Sequence, residues 1–248
     1  MSQPKSYRHI QEDEYLDLCS RILYEDNHLL IVNKRPSEIV QGDKSGDEPL
    51  SETYKAFIAQ RDSKPGAVFL GVPHRLDRPV SGIVIFAKTS KALSRLCEMF
   101  KGSSVHKTYL ALCCHCPDPE EGLLEGMMTR NEKLNKSFIW HKVTPPPKEA
   151  KLARLRYRLR ERTQRYFLVE VHLLTGRHHQ IRCQLSDFGC PIKGDLKYGA
   201  PTSNPDGSIC LHSWKVSFTH PVKGEEISLT APLPPSWGRI VPEGSLYS

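Results

Sequence analysis

Apolar residues follow two rhythms along this chain. Period-two alternation marks strands, and three-to-four-residue spacing marks helices. The clearest alternation lies in residues 151–165, with Leu155, Tyr157 and Leu159 facing one way and Arg154, Arg156, Arg158, Arg160 and Arg162 the other. Strands are predicted at 152–160, 166–173, 68–72, 82–88, 105–114, 209–219 and 225–230, and a strand pair over 21–33 turns on Tyr24-Glu-Asp-Asn-His. Leu50, Tyr54, Phe57 and Ile58 after Pro49 predict a helix over 49–61. A second runs from an N-cap at Ser90 to Phe100, with Ala92, Leu93, Leu96, Met99 and Phe100 on its apolar face. Short helices are expected at 12–20 and at 180–188, the latter ending on Gly189. Polar punctuation gives a loop at 36–47 and a turn at 117–122. Residues 129–150, with Pro145-Pro-Pro147, read as an exposed loop or hairpin between two sublobes, and Pro232 to Pro235 stop regular structure. No repeat is present, and the sum is an α+β chain, strand-dominated with a few helices packed on a sheet.

Composition narrows the partners. At 248 residues the chain can bury a real core, and its formal net charge of +7 with a pI near 9.0 favours an acidic partner such as nucleic acid. The arginine stripe is then either a solvated sheet face or a track for phosphates. No apolar run approaches the ~20 residues that span a bilayer, and the polar, acidic first twenty residues lack a signal-peptide pattern, so cytoplasmic residence is expected. Cys113-Cys-His-Cys116 lacks a second paired ligand set, and the eight cysteines read as reduced, mostly buried thiols with no metal site.

The densest chemistry lies in His74-Arg-Leu-Asp-Arg-Pro-Val-Ser-Gly82, where Asp77 stands between Arg75 and Arg78 in a turn. Neighbouring positive charge favours the carboxylate, which suits a nucleophile or a base better than a proton donor. Taken alone, the same residues also make an ordinary surface ion pair.

That segment resembles the HRLDxxTSG signature of the RluA-type pseudouridine synthases, with Val80 as its one departure. Further resemblances follow in the family's order: 21–34, Lys107-Thr-Tyr-Leu-Ala, Thr175-Gly-Arg-His-His-Gln-Ile-Arg, Ile192-Lys-Gly-Asp-Leu-Lys-Tyr-Gly, Leu211-His-Ser-Trp and Phe218-Thr-His-Pro. The likeness spans about 21–238, leaving an N-terminal extension at 1–20 and a tail at 239–248. It implies the pseudouridine synthase fold, a bent, largely antiparallel central sheet in two halves with flanking helices and the active cleft between them. It leaves no room for an S4 RNA-binding domain, so the catalytic domain is expected to recognise structured RNA, tRNA or rRNA, itself and as a monomer.

The resemblance also distributes roles. Asp77 is implied as the catalytic residue, Tyr109 as the ring that stacks on uracil, and Arg182 as the partner of Asp77. Arg75 is implied to fill the gap left by a flipped base. Arg177 and His179 are assigned RNA contacts, while His178 stands where the pattern has Thr or Ser. Arg35, Glu38 and Gln184 also depart from it, which bears on substrate contacts near the N-terminus and the third motif. The isomerisation needs no redox cofactor, and none is expected. Asp77 either attacks C1′ or removes the 2′ proton. Two rival classes are a non-catalytic RNA-binding module and a hydrolase, the latter calling for a second carboxylate kept protonated.

Overall fold

The computed structural model describes residues 7–141, 145–238 and 240–241. The ends of the predicted extension and tail, 1–6 and 242–248, lie outside the described residues. The first helix, α1 (Glu12–Ser20), rests on α2 (Leu50–Arg61), where the Tyr54 hydroxyl donates to the Leu18 carbonyl at 3.1 Å and Tyr15 packs on Phe57. Strands β1 (Ile22–Glu25), β2 (Leu29–Lys34) and β3 (Ser81–Ala87) form an antiparallel group with helices on both faces. Alternation decides which side chain meets which helix. Leu29, Ile31, Ile83 and Ile85 meet Ala92 and Leu96 of α3 (Ser90–Lys101), while Leu30, Val32, Val84 and Phe86 join Tyr54 and Phe57 of α2. Burial from both sides explains why β3 reads as an unbroken apolar run.

The other half comprises β4 (His106–Cys113), β5 (Glu121–Asn131), β6 (Lys136–Trp140), β7 (Lys151–Arg162), β8 (Phe167–Leu173), β9 (Leu211–Thr219) and β10 (Glu226–Thr230). Strand order is β1-β2-β3-β9-β4-β8-β7-β5-β6, with β10 also on β9. All pairings are antiparallel except β3 with β9, which are parallel through only Ser81↔His212 and Gly82↔Ser213. That short seam splices the two halves. It needs glycine at 82, where φ is +109° and a Cβ would lie 2.3 Å from the Ser213 carbonyl oxygen. Helix α4 (Gln180–Asp187) covers the inner face of the second half, with Ala153, Leu155 and Tyr157 of β7 buried and Phe188 against Tyr157.

The expected elements form, with three differences. Residues 68–72 bury Val68 and Leu70 but make only an isolated bridge, Gly71 to Ala87, so they are an extended segment rather than a strand. The α3 cap is Thr89, whose Oγ1 accepts the Ala92 N–H at 3.2 Å, one residue ahead of Ser90. The turn expected at 117–122 gives way at Glu121 to the eleven-residue β5, which pairs with β6 and makes part of 129–150 a hairpin. Four of the eight cysteines are buried, whereas Cys19 and Cys97 are exposed. Among the described residues no helix is long and apolar enough to cross a membrane.

Candidate active site

Asp77 sits in a turn just before β3, beside the seam. The turn is closed by the Val80 N–H on the Asp77 carbonyl at 3.0 Å. Lys34, at the end of β2, is almost fully buried and donates Nζ to the carbonyls of Arg35 (2.8 Å), Arg78 (3.1 Å) and Val80 (2.7 Å). Burial pushes its pKa down to about 7. On the other side His74 accepts the Ile85 N–H through Nε2 at 2.9 Å and stacks on Phe100. Two strands and a helix thus fix the path of the turn.

The flanking arginines do not supply the charge partner expected from sequence. Arg78 turns away to Asp47 at 2.6 Å and the Ser45 hydroxyl at 2.7 Å, securing the 39–47 loop, and Arg75 is exposed at the cleft rim. The partner is Arg182, 105 residues downstream, whose Nη1 donates to Asp77 Oδ2 at 3.1 Å. Its other two nitrogens hold Asp195, Nε to Oδ2 at 2.6 Å and Nη2 to Oδ1 at 2.8 Å. Arg182 would be a surface residue on an ordinary helix. Here α4 packs on the inner face of the second half and buries every residue from Gln180 to Leu185.

Tyr109 projects from β4 toward the same space. Its strand shifts register against β9 between Thr108 and Tyr109, the local kink by which a bulge re-aims a side chain. Burial and the Asp77 charge push its phenol up to about 12, so the ring carries its proton at neutral pH. Tyr109, Asp77, Arg182 and Arg177 line a recess of about 90 Å³, and Asp77 and Arg182 also face an open cleft of about 730 Å³. The cleft runs between the 39–47 loop and the tip of the β5–β6 hairpin. Arg130, Lys197 and Arg75 give it a basic lining.

Arg177 is exposed and anchored through Nε to the Leu152 carbonyl at 2.9 Å. His179 is different. Its side chain is only 5% exposed, with Nε2 3.4 Å from Asp77 Oδ2 and Nδ1 3.0 Å from the Tyr198 hydroxyl. The departures from the family pattern also find partners. Glu38 binds Arg21 at 2.7 Å and caps the Arg35 N–H at 2.9 Å, while Gln184 donates to the Leu124 carbonyl at 3.1 Å and its own Oε1 finds no partner among the described residues. Sequence reasoning missed Lys34, Asp195 and Tyr198 as parts of the site. The last two lie in Ile192-Lys-Gly-Asp-Leu-Lys-Tyr-Gly, and Lys34 closes the first segment, so each stood in a matching stretch that received no role.

The basic stripe lies elsewhere. Its arginines alternate with residues buried under α4, which puts them on the outer face of the sheet. Glu125 binds Arg154 at 2.5 Å and Glu120 binds Arg162 at 2.5 Å. Register against β8 shifts between Leu159 and Glu161, and Arg160 lies half-buried 3.4 Å from Glu170.

The family model for RNA pseudouridylate synthase matches residues 28–187. Ribosomal large subunit pseudouridine synthase C of Pasteurella multocida is 33% identical over 235 residues, covering 90% of this chain and 68% of that protein. An RNA pseudouridine synthase of Bacillus subtilis is 30% identical, covering 94% of this chain and 77% of its own length. Among solved structures, human RNA pseudouridylate synthase domain containing 4 superposes with a TM-score of 0.76 at 24% identity, covering 90% of this chain and 92% of that one, a likeness of fold. By sequence and by fold, the chain belongs to the RNA pseudouridylate synthase family, in its RluA-type branch, and is an isomerase.

Proposed function

We propose that the enzyme converts a specific uridine of structured RNA, ribosomal or transfer, to pseudouridine, with Asp77 as the catalytic group and the target nucleotide flipped out of its helix. The observation that carries this reading is the Asp77 carboxylate, bound on one oxygen by Arg182 and opening onto a recess shared with Tyr109. The reaction breaks N1–C1′, turns the uracil and joins C5 to C1′. The proton lost from C5 is balanced by one gained at N1, so nothing is oxidised or hydrolysed. Either attack of Asp77 on C1′ or removal of the 2′ proton begins it. Tyr109 stacks on the uracil. Arg75 enters the helix, offsetting an unstacking cost of about a few kcal/mol, and Arg177 meets the backbone. A glycoside hydrolase works with two carboxylates. Here the second one at that depth, Asp195, is tied at both oxygens to Arg182, which favours isomerisation over hydrolysis.

Relatives named for the large ribosomal subunit make ribosomal RNA the first substrate to try. Wild-type protein and Asp77→Asn are incubated with ribosomal and transfer RNA carrying tritium at uridine C5. Pseudouridine with tritium release by wild type alone is the expected result. Free uracil would point to a hydrolase, unchanged RNA that still binds would point to a binding module, and turnover by the Asn variant would remove Asp77 from the mechanism.

A further inference from the structure

His179 occupies an unusual place. It precedes the first turn of α4 with φ +52° and ψ +26°, the left-handed region that a residue with a Cβ enters at a cost of about 1 kcal/mol. Strain of this kind persists where the surroundings over-determine the residue, and here they do. Its ring is held on one edge by Tyr198 and on its face by His178, whose ring centroid is 3.7 Å away, and its other edge faces Asp77.

The shorter of two contacts of the Tyr198 hydroxyl sets the hydrogen-bond direction at the ring. The Ser137 N–H donates to the Tyr198 oxygen at 2.8 Å. The phenolic hydrogen therefore turns to an acceptor, and His179 Nδ1 at 3.0 Å lies nearer than the Ser137 carbonyl at 3.4 Å. A neutral imidazole that accepts at Nδ1 carries its proton on Nε2, which faces Asp77 Oδ2. Burial, with Arg182 adding to it, lowers the His179 pKa to about 2, which keeps the ring neutral. A buried neutral ring is a poor counterion for phosphate. It is a good directional donor.

Arg182 Nη1 donates to Asp77 Oδ2, and His179 Nε2 stands 3.4 Å from the same oxygen. Among the described residues no hydrogen bond to Oδ1 is found, and that oxygen is left for the substrate. We propose that His179 is a positioning residue that, held in its Nε2–H form by Tyr198, fixes Asp77 through Oδ2 and presents Oδ1 to the ribose. At 3.4 Å the two atoms approach without a formed hydrogen bond in the free protein, and the bond closes when substrate engages the site. Ser137 belongs to the β5–β6 hairpin, so the same relay ties the carboxylate's orientation to the hairpin that walls the cleft. His178 adds a second tie, from Nδ1 to the Ser137 hydroxyl at 2.9 Å and from Nε2 to Asn135 at 3.1 Å.

This assignment rests on Asp77 being the catalytic group, and its test separates the two. Single-turnover rates and RNA affinities are measured for wild type, His179→Ala, His179→Gln and Tyr198→Phe, alongside nitrogen NMR of the imidazole tautomer. The Ala variant is expected to lose about 10- to 100-fold in rate with affinity held within about threefold. Gln, whose amide N–H can reach Asp77, recovers most of the rate. Tyr198→Phe loses a smaller factor and its tautomer preference for Nε2–H. Rate and affinity falling together, Gln no better than Ala, or an Nδ1–H tautomer in wild type would overturn the proposal. If Ala fails to fold, the Gln variant, Tyr198→Phe and the wild-type tautomer still decide. Absence of pseudouridine from wild type would instead strike the reading of the site, leaving the tautomer to be read on its own.

Discussion

Arg182 grips Asp195 with two nitrogens, at 2.6 and 2.8 Å, and so has a single N–H group aimed at Asp77. The Asp195 side chain is 1% exposed and that of Arg182 6%. Asp195 therefore sets the plane of the guanidinium, a geometry Lys could not reproduce.

Removing that grip should be felt twice. Asp195→Asn is expected to lower unfolding free energy by about 3 kcal/mol, the cost of breaking a buried pair from one side. Turnover should also fall, because the remaining N–H no longer points at Asp77. Urea denaturation and single-turnover assays measure the two effects. A variant as stable as wild type would show that Arg182 is held by other means.

Lys34→Met tests the floor of the Asp77 turn. Three carbonyls, of Arg35, Arg78 and Val80, lose a donor they share, and the expected destabilisation is about 3 kcal/mol. The rate should drop more than RNA affinity, since the ammonium is almost fully buried and does not reach the cleft surface. Equal losses in both would place Lys34 in RNA binding.

Stability should decline on acidification well before carboxylates titrate. Burial lowers His179 to about 2 and His212 to about 4, whereas in the unfolded chain both take a proton near 6.5. Below that ordinary value the unfolded state binds more protons, so lowering the pH from 7 to 5 should cost about 2 kcal/mol for each residue. Depressed carboxyl groups such as Asp26 lose their contribution only below about pH 4, outside this window. Urea midpoints at pH 7 and 5 give the difference directly, and equal midpoints would mean that these rings are not buried neutral.

The outer arginine stripe and the cleft arginines should part company in salt. Arg154 and Arg162 are already paired with glutamates from β5 and the residue before it. Reversing Arg156 and Arg158 to Glu should leave the slope of log affinity against log salt unchanged. Arg75→Ala and Arg177→Ala should each reduce it by about one. A smaller slope in the stripe variant would put RNA on the outer face.

How far the sequence alone carried the fold is seen best where it failed. Strand β5 escaped notice because Gly122 and Gly126 interrupt its apolar pattern. Each glycine makes way for a neighbour, Gly122 for the Tyr157 ring and Gly126 for Ile139, whose Cγ1 would lie 2.7 Å from an added Cβ. Nothing local encodes those neighbours. The site divides in the same way. Asp77, Tyr109 and Arg182 stood out by resemblance and come together. Asp195, Lys34 and Tyr198 act by holding other residues, and such work shows only when partners as far as 61 residues apart in the chain meet. His179 was legible as a site residue, while its turn inward toward Asp77 depended on a left-handed backbone that no pattern announces.

The two-residue seam between β3 and β9 sets a schedule for the newborn protein. Ser81 must wait for His212, 131 residues later, and Asp77 must wait for Arg182. Residues 22–101 can pair β1 to β3 and begin to dock α2 and α3 while synthesis continues, but the α3 face is completed only by Val216 and Phe218 of β9 and Ile227 of β10. The Asp77 carboxylate then waits beside β3 with no partner to aim it. In a chain built this way the seam that joins the two halves closes only after β9 has emerged, so the cleft is the last part of the fold to be completed.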